Sequence, residues 1–145
     1  MNSQENKDHK LLTKEFVDKV TYDVIGAAIT VQKKMGRSLL ESVYHECMKE
    51  ELKKKGLDFH TEMSIPVFYD EKKLAVRFRC DLFVENCLVV ELKSVSKFVI
   101  EHEAKVLNYM RLLEAPKGIL INFNCGNIFR EGQKTLVNDI YAKLK

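Results

Sequence analysis

The chain has 145 residues, 46% hydrophobic and 31% charged, with six glycines and two prolines. That is the size and balance of one folded domain, and it excludes a disordered, collagen-like or low-complexity polymer. A net charge of +3 is too small to imply a nucleic-acid partner by itself. No apolar run reaches the roughly 20 residues of a membrane span, and the polar start Met1 to Lys10 lacks an apolar secretory core, so the expected setting is cytoplasmic with no membrane partner.

In chain order, residues 1–12 read as a flexible lead-in and 13–145 as one domain. From Glu15, Phe16, Val20, Val24, Ala27, Ala28 and Val31 recur at helical steps until Gly36 stops the run. Ser38 stands three residues before Glu41, the spacing of a capping box, and predicts a second helix from about Leu39 to Lys55. After Gly56 the period shortens. Phe59 to Tyr69 reads as a strand in which Pro66 marks an edge or a bulge. Asp70 to Lys72 is a turn, Leu74 to Val84 a second strand, and Leu88 to Lys93 a third.

A helix from about Lys97 to Leu113 follows, with Val99, Val106, Leu107, Met110 and Leu113 on its apolar side. Gly118 to Phe123 is a buried strand, 124–130 a loop or short edge strand, and Gly132 to Leu144 a closing helix. The order α-α-β-β-β-α-β-α predicts an α/β fold of the mixed α+β kind. A three-strand antiparallel meander is followed by a crossover helix to a parallel neighbour. Cys47, Cys80, Cys87 and Cys125 form no CxxC pair and His45, His60 and His102 are scattered among them, so they read as reduced thiols and not as a zinc site.

The chemistry concentrates between Cys80 and Lys93. Asp81, Glu91 and Lys93 are ionisable where a central strand should be apolar, and buried charge is costly unless paired or bound to metal. Glu91 and Lys93 share one face of a strand. Two carboxylates suit a hard divalent cation such as Mg²⁺, and a nearby ammonium suits orienting water or stabilising charge on a phosphate. A solvated surface ion pair is the competing reading.

The site requires a register. A two-residue turn at Glu85-Asn86 would put Asp81 and Glu91 on opposite faces; a three-residue loop or a bulge puts them on one. Hydrophobic patterning favours the second, because Cys80, Leu82 and Val84 then share a face with Leu88, Val90 and Leu92. Arg77, Arg79, Lys93, Lys97 and Lys105 supply charge for a local nucleic-acid patch or, equally, a solvated surface.

Asp81 followed by Glu91-Leu92-Lys93 resembles the PD-(D/E)XK nuclease signature, with Arg79-Cys80 where a proline usually precedes. Met35-Gly-Arg-Ser-Leu-Leu-Glu-Ser-Val-Tyr44 resembles the namesake motif of the GxxExxY family, a compact branch of that superfamily. Ile65 to Tyr69, the hairpin around Asp81, and Gly118 to Phe123 resemble the rest of its pattern, over roughly residues 20–130. Ser38 stands where that motif has glycine, which a serine N-cap would accommodate. Lys105 stands where a glutamine is expected, four residues before Tyr109.

The resemblance implies a PD-(D/E)XK restriction-endonuclease-like core and a Mg²⁺-dependent nuclease, with Mn²⁺ as substitute. DNA is the expected substrate ahead of RNA. Asp81, Glu91 and Glu41 would serve the metal, and Lys93, Glu41 and Tyr109 the chemistry. Lys105, Lys97, Arg79 and His102 would contact nucleic acid, with Tyr44 in support. Glu41 has a rival task in the capping box. A catalytically inactive binding module of the same fold, self-association, and a protein partner stay open.

Overall fold

The computed structural model describes residues 11–145. Most of the expected lead-in therefore lies outside the described residues; within it, Leu12 packs against the main core. Helix α1 (Lys14–Met35) starts at Thr13, whose Oγ1 accepts the Phe16 N–H at 3.1 Å. Its stripe Val17, Val20, Val24, Ala27, Ala28 and Val31 is buried. Gly36 ends it at φ 80° and ψ −172°, a conformation essentially restricted to glycine.

The loop to α2 (Glu41–Lys54) corrects the capping expectation. Ser38 does not cap the helix. It takes φ 70°, and its hydroxyl donates to Asn124 Oδ1 at 2.8 Å. Leu40 is the N-cap residue and gives no side-chain hydrogen bond. Ser38, where the resembling motif has glycine, thus takes the left-handed region that glycine favours. The turn is closed by Tyr44, whose hydroxyl donates to Gly36 O at 2.8 Å and accepts the Leu39 N–H at 3.0 Å.

The sheet runs β1 (Phe59–Tyr69), β2 (Lys72–Val84), β3 (Leu88–Lys93), β4 (Lys117–Asn122) and β5 (Gln133–Val137), paired in that order. The β3–β4 pair is parallel and the others antiparallel, as the meander and crossover predict. β1 lies at the edge, and its register shifts between Pro66 and Phe68. A proline that cannot donate to the ladder is tolerated at such a place. Helix α3 (Ile100–Leu112) makes the crossover and begins later than expected, with Val99 as N-cap residue.

Val84 pairs with Leu88, so Glu85, Asn86 and Cys87 form the three-residue loop that places Asp81 and Glu91 in compatible register. Glu85 and Asn86 both take positive φ.

The chain end departs from the expected helix over 132–144. A short helix α4 (Ile128–Glu131) falls in the expected loop, then comes β5, then one turn of helix, α5 (Asp139–Ala142). β5 half-buries Gln133 and Leu136 and exposes the rest, and it pairs with the open side of β4. That backbone pairing outweighs the weak helical pattern, because an unpaired strand edge would leave its amides and carbonyls unsatisfied.

Helices cover both faces. α1 and α2 pack with Leu82, Val84, Leu88, Val90, Leu92, Ile119 and Ile121. On the other side α3 contributes Val106, Tyr109 and Met110 to a layer with Phe83, Val89 and Leu120. Cys80 also belongs to the α3 layer, not with Leu82 and Val84 as the alternation predicts. Its thiol donates to Leu82 O at 3.3 Å, and the β2–β3 pairing stops at Leu82–Val90. Beyond that point no β3 ladder enforces the alternation.

Candidate active site

The end of the β2–β3 ladder creates the site. Past Leu82 and Val90 the strands are joined by side chain instead of backbone. Asp81 Oδ2 accepts the Leu92 N–H at 3.1 Å, and the Asp81 N–H donates to Glu91 Oε1 at 3.4 Å. Around this fork lies a cleft of about 220 Å³ lined by Glu41, Ser42, His45, Asp81, Leu92, Lys93 and Lys105. It is smaller than ordinary small-molecule pockets, which run from roughly 300 Å³ upward. The size suits a single phosphate with an ion.

Two ion pairs flank the fork. Lys93 Nζ is 3.4 Å from Glu41 Oε1, and Lys105 Nζ is 3.2 Å from Glu91 Oε2. Glu41 reaches Lys93 because it opens α2 free of any capping task. The capping box expected of Ser38 and Glu41 does not form, and Glu41 lines the cleft.

Glu91 has no exposed surface. Burial, and then the charge of Asp81, push its carboxyl up to about 7 against the pull of Lys105. Oε2 makes no aligned hydrogen bond despite the nearby ammonium. Lys105 is held above its ordinary range: its burial opposes this most strongly, and the Glu91 charge outweighs that only together with Tyr109, the direct contact to Glu91 and Asp81. Burial, followed by the Glu91 and Asp81 charges, pushes the Cys80 thiol up to about 12. It is inert as a nucleophile.

The other sequence-chosen residues separate into two groups. Tyr109 OH donates to Arg79 O at 2.7 Å, and its ring lies 5.6 Å from Lys105 Nζ. Tyr109 is buried and does not line the cleft, which gives it a positioning task. Tyr44 stacks on Phe123 at 4.2 Å and shapes the loop before Glu41. His102 accepts the Val99 N–H on Nδ1 at 3.2 Å and caps α3. Arg79 pairs with Glu62 at 2.7 Å, and Arg77 donates to Ser64 at 2.6 Å. Lys97 is exposed in the β3–α3 loop. Most of the basic patch is therefore locally engaged.

His45 and Ser42 line the cleft without having been singled out as site residues. His45 Nε2 lies 3.2 Å from Asp81 O and 3.0 Å from Thr61 Oγ1. The signal was available: His45 is four residues after Glu41 on one helix, hence on one face. Asn122 also escaped notice. Its buried amide donates to Val95 O at 2.9 Å and accepts the Val95 N–H at 3.1 Å. That clamps the loop leaving Lys93 to the end of β4.

A model of the PD-(D/E)XK nuclease superfamily matches residues 18–135. The chain belongs to the PD-(D/E)XK nuclease superfamily. The match spans Glu41, Asp81, Glu91, Lys93 and Lys105, and the five-strand mixed sheet with flanking helices agrees with the superfamily fold. No curated protein matches. A solved structure titled "Crystal structure of SSO0001" is similar at 19% identity and a TM-score of 0.49, over 70% of this chain and 55% of that one. The chain thus spans about half of that protein's length. No described helix is long and apolar enough to cross a membrane.

PD-(D/E)XK nucleases generally use divalent metals, and the donor set here fits one. Among the described residues no three His, Cys, Asp or Glu side chains gather into a complete metal cage. Asp81 lines the cleft instead, and Glu91 lies behind it with its Oε2 buried, not hydrogen-bonded and 3.2 Å from Lys105 Nζ. Mg²⁺ is commonly held by one or two carboxylates, with water and substrate phosphate filling the rest.

Proposed function

We propose that the protein is a Mg²⁺-dependent nuclease that hydrolyses phosphodiester bonds of DNA. The observation that carries this reading is the convergence of Glu41, Asp81, Lys93 and Lys105 on one phosphate-sized cleft, with Glu91 directly behind it. Asp81 and Glu91 would hold the cation, and Glu41 would assist from α2. When bound, the ion would offset charge on the phosphate as it approaches the transition state.

Lys93 is largely buried and paired with Glu41, which confines its ammonium at the cleft. There it orients a water toward phosphorus. The water oxygen forms the new P–O bond and gives up a proton to solvent, the ester P–O bond breaks, and the departing oxygen takes up a proton from solvent. Lys93 also offsets the charge that grows on the phosphoryl oxygens. His45 holds the Asp81 backbone from the α2 side and limits the drift of that carboxylate. The segment Met35–Tyr44 supports placing the chain with the GxxExxY proteins within the superfamily.

The cleft has room for a phosphate and not for a base beside it, so this domain would grip a nucleic-acid backbone with little sequence preference. A second reading, a domain that binds nucleic acid without cutting it, draws support from Lys105 resting on Glu91. One assay separates the two. Labelled single- and double-stranded DNA are incubated with Mg²⁺ or Mn²⁺ and wild type, Asp81→Asn or Lys93→Ala. Metal-dependent cutting lost in both variants is expected. Binding without cutting by the wild type would favour the second reading.

A further inference from the structure

Glu91 is one of two carboxylates at the fork, yet it has no exposed surface and does not line the cleft. Lys105 does line it, with 40% of its side chain exposed, and its Nζ lies 3.2 Å from Glu91 Oε2. The lysine therefore stands between the cleft and the carboxylate. Its helix cannot easily retreat. α3 packs so closely on β4 that a Cβ on Gly118 would lie 2.4 Å from Val106 Cγ1 and 2.9 Å from Met110 Sδ.

The side chain itself can leave. A lysine ammonium is a point charge on a flexible stem, and the Oε2 contact lacks an aligned hydrogen bond. Among the described residues no second ion pair holds Lys105: the Tyr109 ring lies 5.6 Å from Nζ, and Asp81 adds a longer-range attraction. An ammonium and a divalent cation cannot share one carboxylate oxygen, because like charges a few ångströms apart repel strongly where water is scarce.

We propose that Lys105 is a tethered cation that occupies Glu91 in the metal-free protein, and that a divalent ion enters only by displacing this ammonium into the cleft. The inference rests on the reading of Asp81 and Glu91 as metal ligands. It explains why a carboxylate with no exposed surface tolerates burial before any metal arrives. It also gives Lys105 two successive positions: on Glu91 without metal, and beside Lys93, within reach of a backbone phosphate, with metal bound. Metal and substrate phosphate would then favour each other's binding, since each stabilises the same displaced lysine.

The test is calorimetric titration of Mg²⁺ and Mn²⁺, without nucleic acid, into wild type, Lys105→Gln, Lys105→Arg and Glu91→Gln. Lys105→Gln is expected to bind about tenfold more tightly than wild type, the equivalent of roughly 1.4 kcal/mol. Lys105→Arg should bind no more tightly than wild type, and Glu91→Gln should lose binding. Equal or weaker binding by a folded Lys105→Gln, with wild type binding normally, overturns the tethered cation alone. No binding by either protein overturns the metal site and the inference with it.

A measurement on the unsubstituted protein guards against a variant that fails to fold. The ¹⁵N signal of the Lys105 ammonium should shift and exchange faster with water as Mg²⁺ is added. A signal that stays fixed while metal binds would overturn the displacement.

Discussion

Asp81 and Glu91 tie two diverging strands together, each carboxylate taking a backbone N–H of the facing strand: the Asp81 N–H donates to Glu91 Oε1 at 3.4 Å, and Asp81 Oδ2 accepts the Leu92 N–H at 3.1 Å. Two ladder contacts are thus replaced by carboxylate contacts. The replacement frees the strand ends to splay and leaves two negative groups side by side. The same residues support both the local fold and the proposed metal site, which makes their substitutions informative in pairs.

Asp81→Asn keeps an oxygen acceptor for the Leu92 N–H and removes the charge. Stability should change by less than about 1 kcal/mol, since one hydrogen bond is retained. Cleavage should fall by at least about 100-fold, the scale of losing a main electrostatic contributor. Urea unfolding and a labelled-DNA assay check the two halves. A large loss of stability would mean that the charge is needed for folding itself.

Glu91 predicts a pH dependence of the metal-free protein. Its carboxyl titrates near 7 when folded against an ordinary 4.5, chiefly from burial and then from Asp81. The folded state therefore holds this proton more tightly than the unfolded one. The contribution is full below about 4.5, declines as pH rises, and is gone above about 7. Glu91→Gln cannot deprotonate, so its Tm should gain on that of wild type as pH rises through this window. Saturating Mg²⁺ should narrow the gap by stabilising the ionised carboxylate of wild type alone. Parallel melting curves across the window would contradict the shift.

Tyr109→Phe separates positioning from catalysis. The hydroxyl serves Arg79 O, so its removal should cost about 1 kcal/mol of stability. Cleavage should stay within a few-fold of wild type, the change falling on KM more than on kcat. A kcat loss above about 100-fold would restore Tyr109 as a catalytic group, because proton-transfer catalysts contribute on that scale.

Gly118→Ala tests the seating of α3. The added methyl would meet Val106 and Met110 far inside contact distance, and overpacking of this kind costs about 1–3 kcal/mol. The helix must move to relieve it and carry Lys105 along. A lower urea midpoint together with an altered Mg²⁺ affinity is expected. An unchanged midpoint would show that α3 has slack.

Much of this molecule was legible in the residues alone. The helical stripe of α1, the meander, the bulge near Pro66 and the three-residue loop at Glu85–Cys87 all follow from periodicity and turn chemistry, which act over a few neighbours. The loop sets the register that brings Asp81 level with Glu91, although the ladder itself ends one pair earlier, at Leu82–Val90. Three things needed the tertiary structure. Gln133–Val137 is a strand because β4 offers an unpaired edge, a partner far more decisive than the weak local propensity. Ser38 does not cap α2 because the turn is closed by Tyr44 and Asn124, the latter more than 80 positions away. Lys105 rests on Glu91 because α3 packs directly against β4. Distances of that kind are set by packing between elements, and no pattern within one element encodes them.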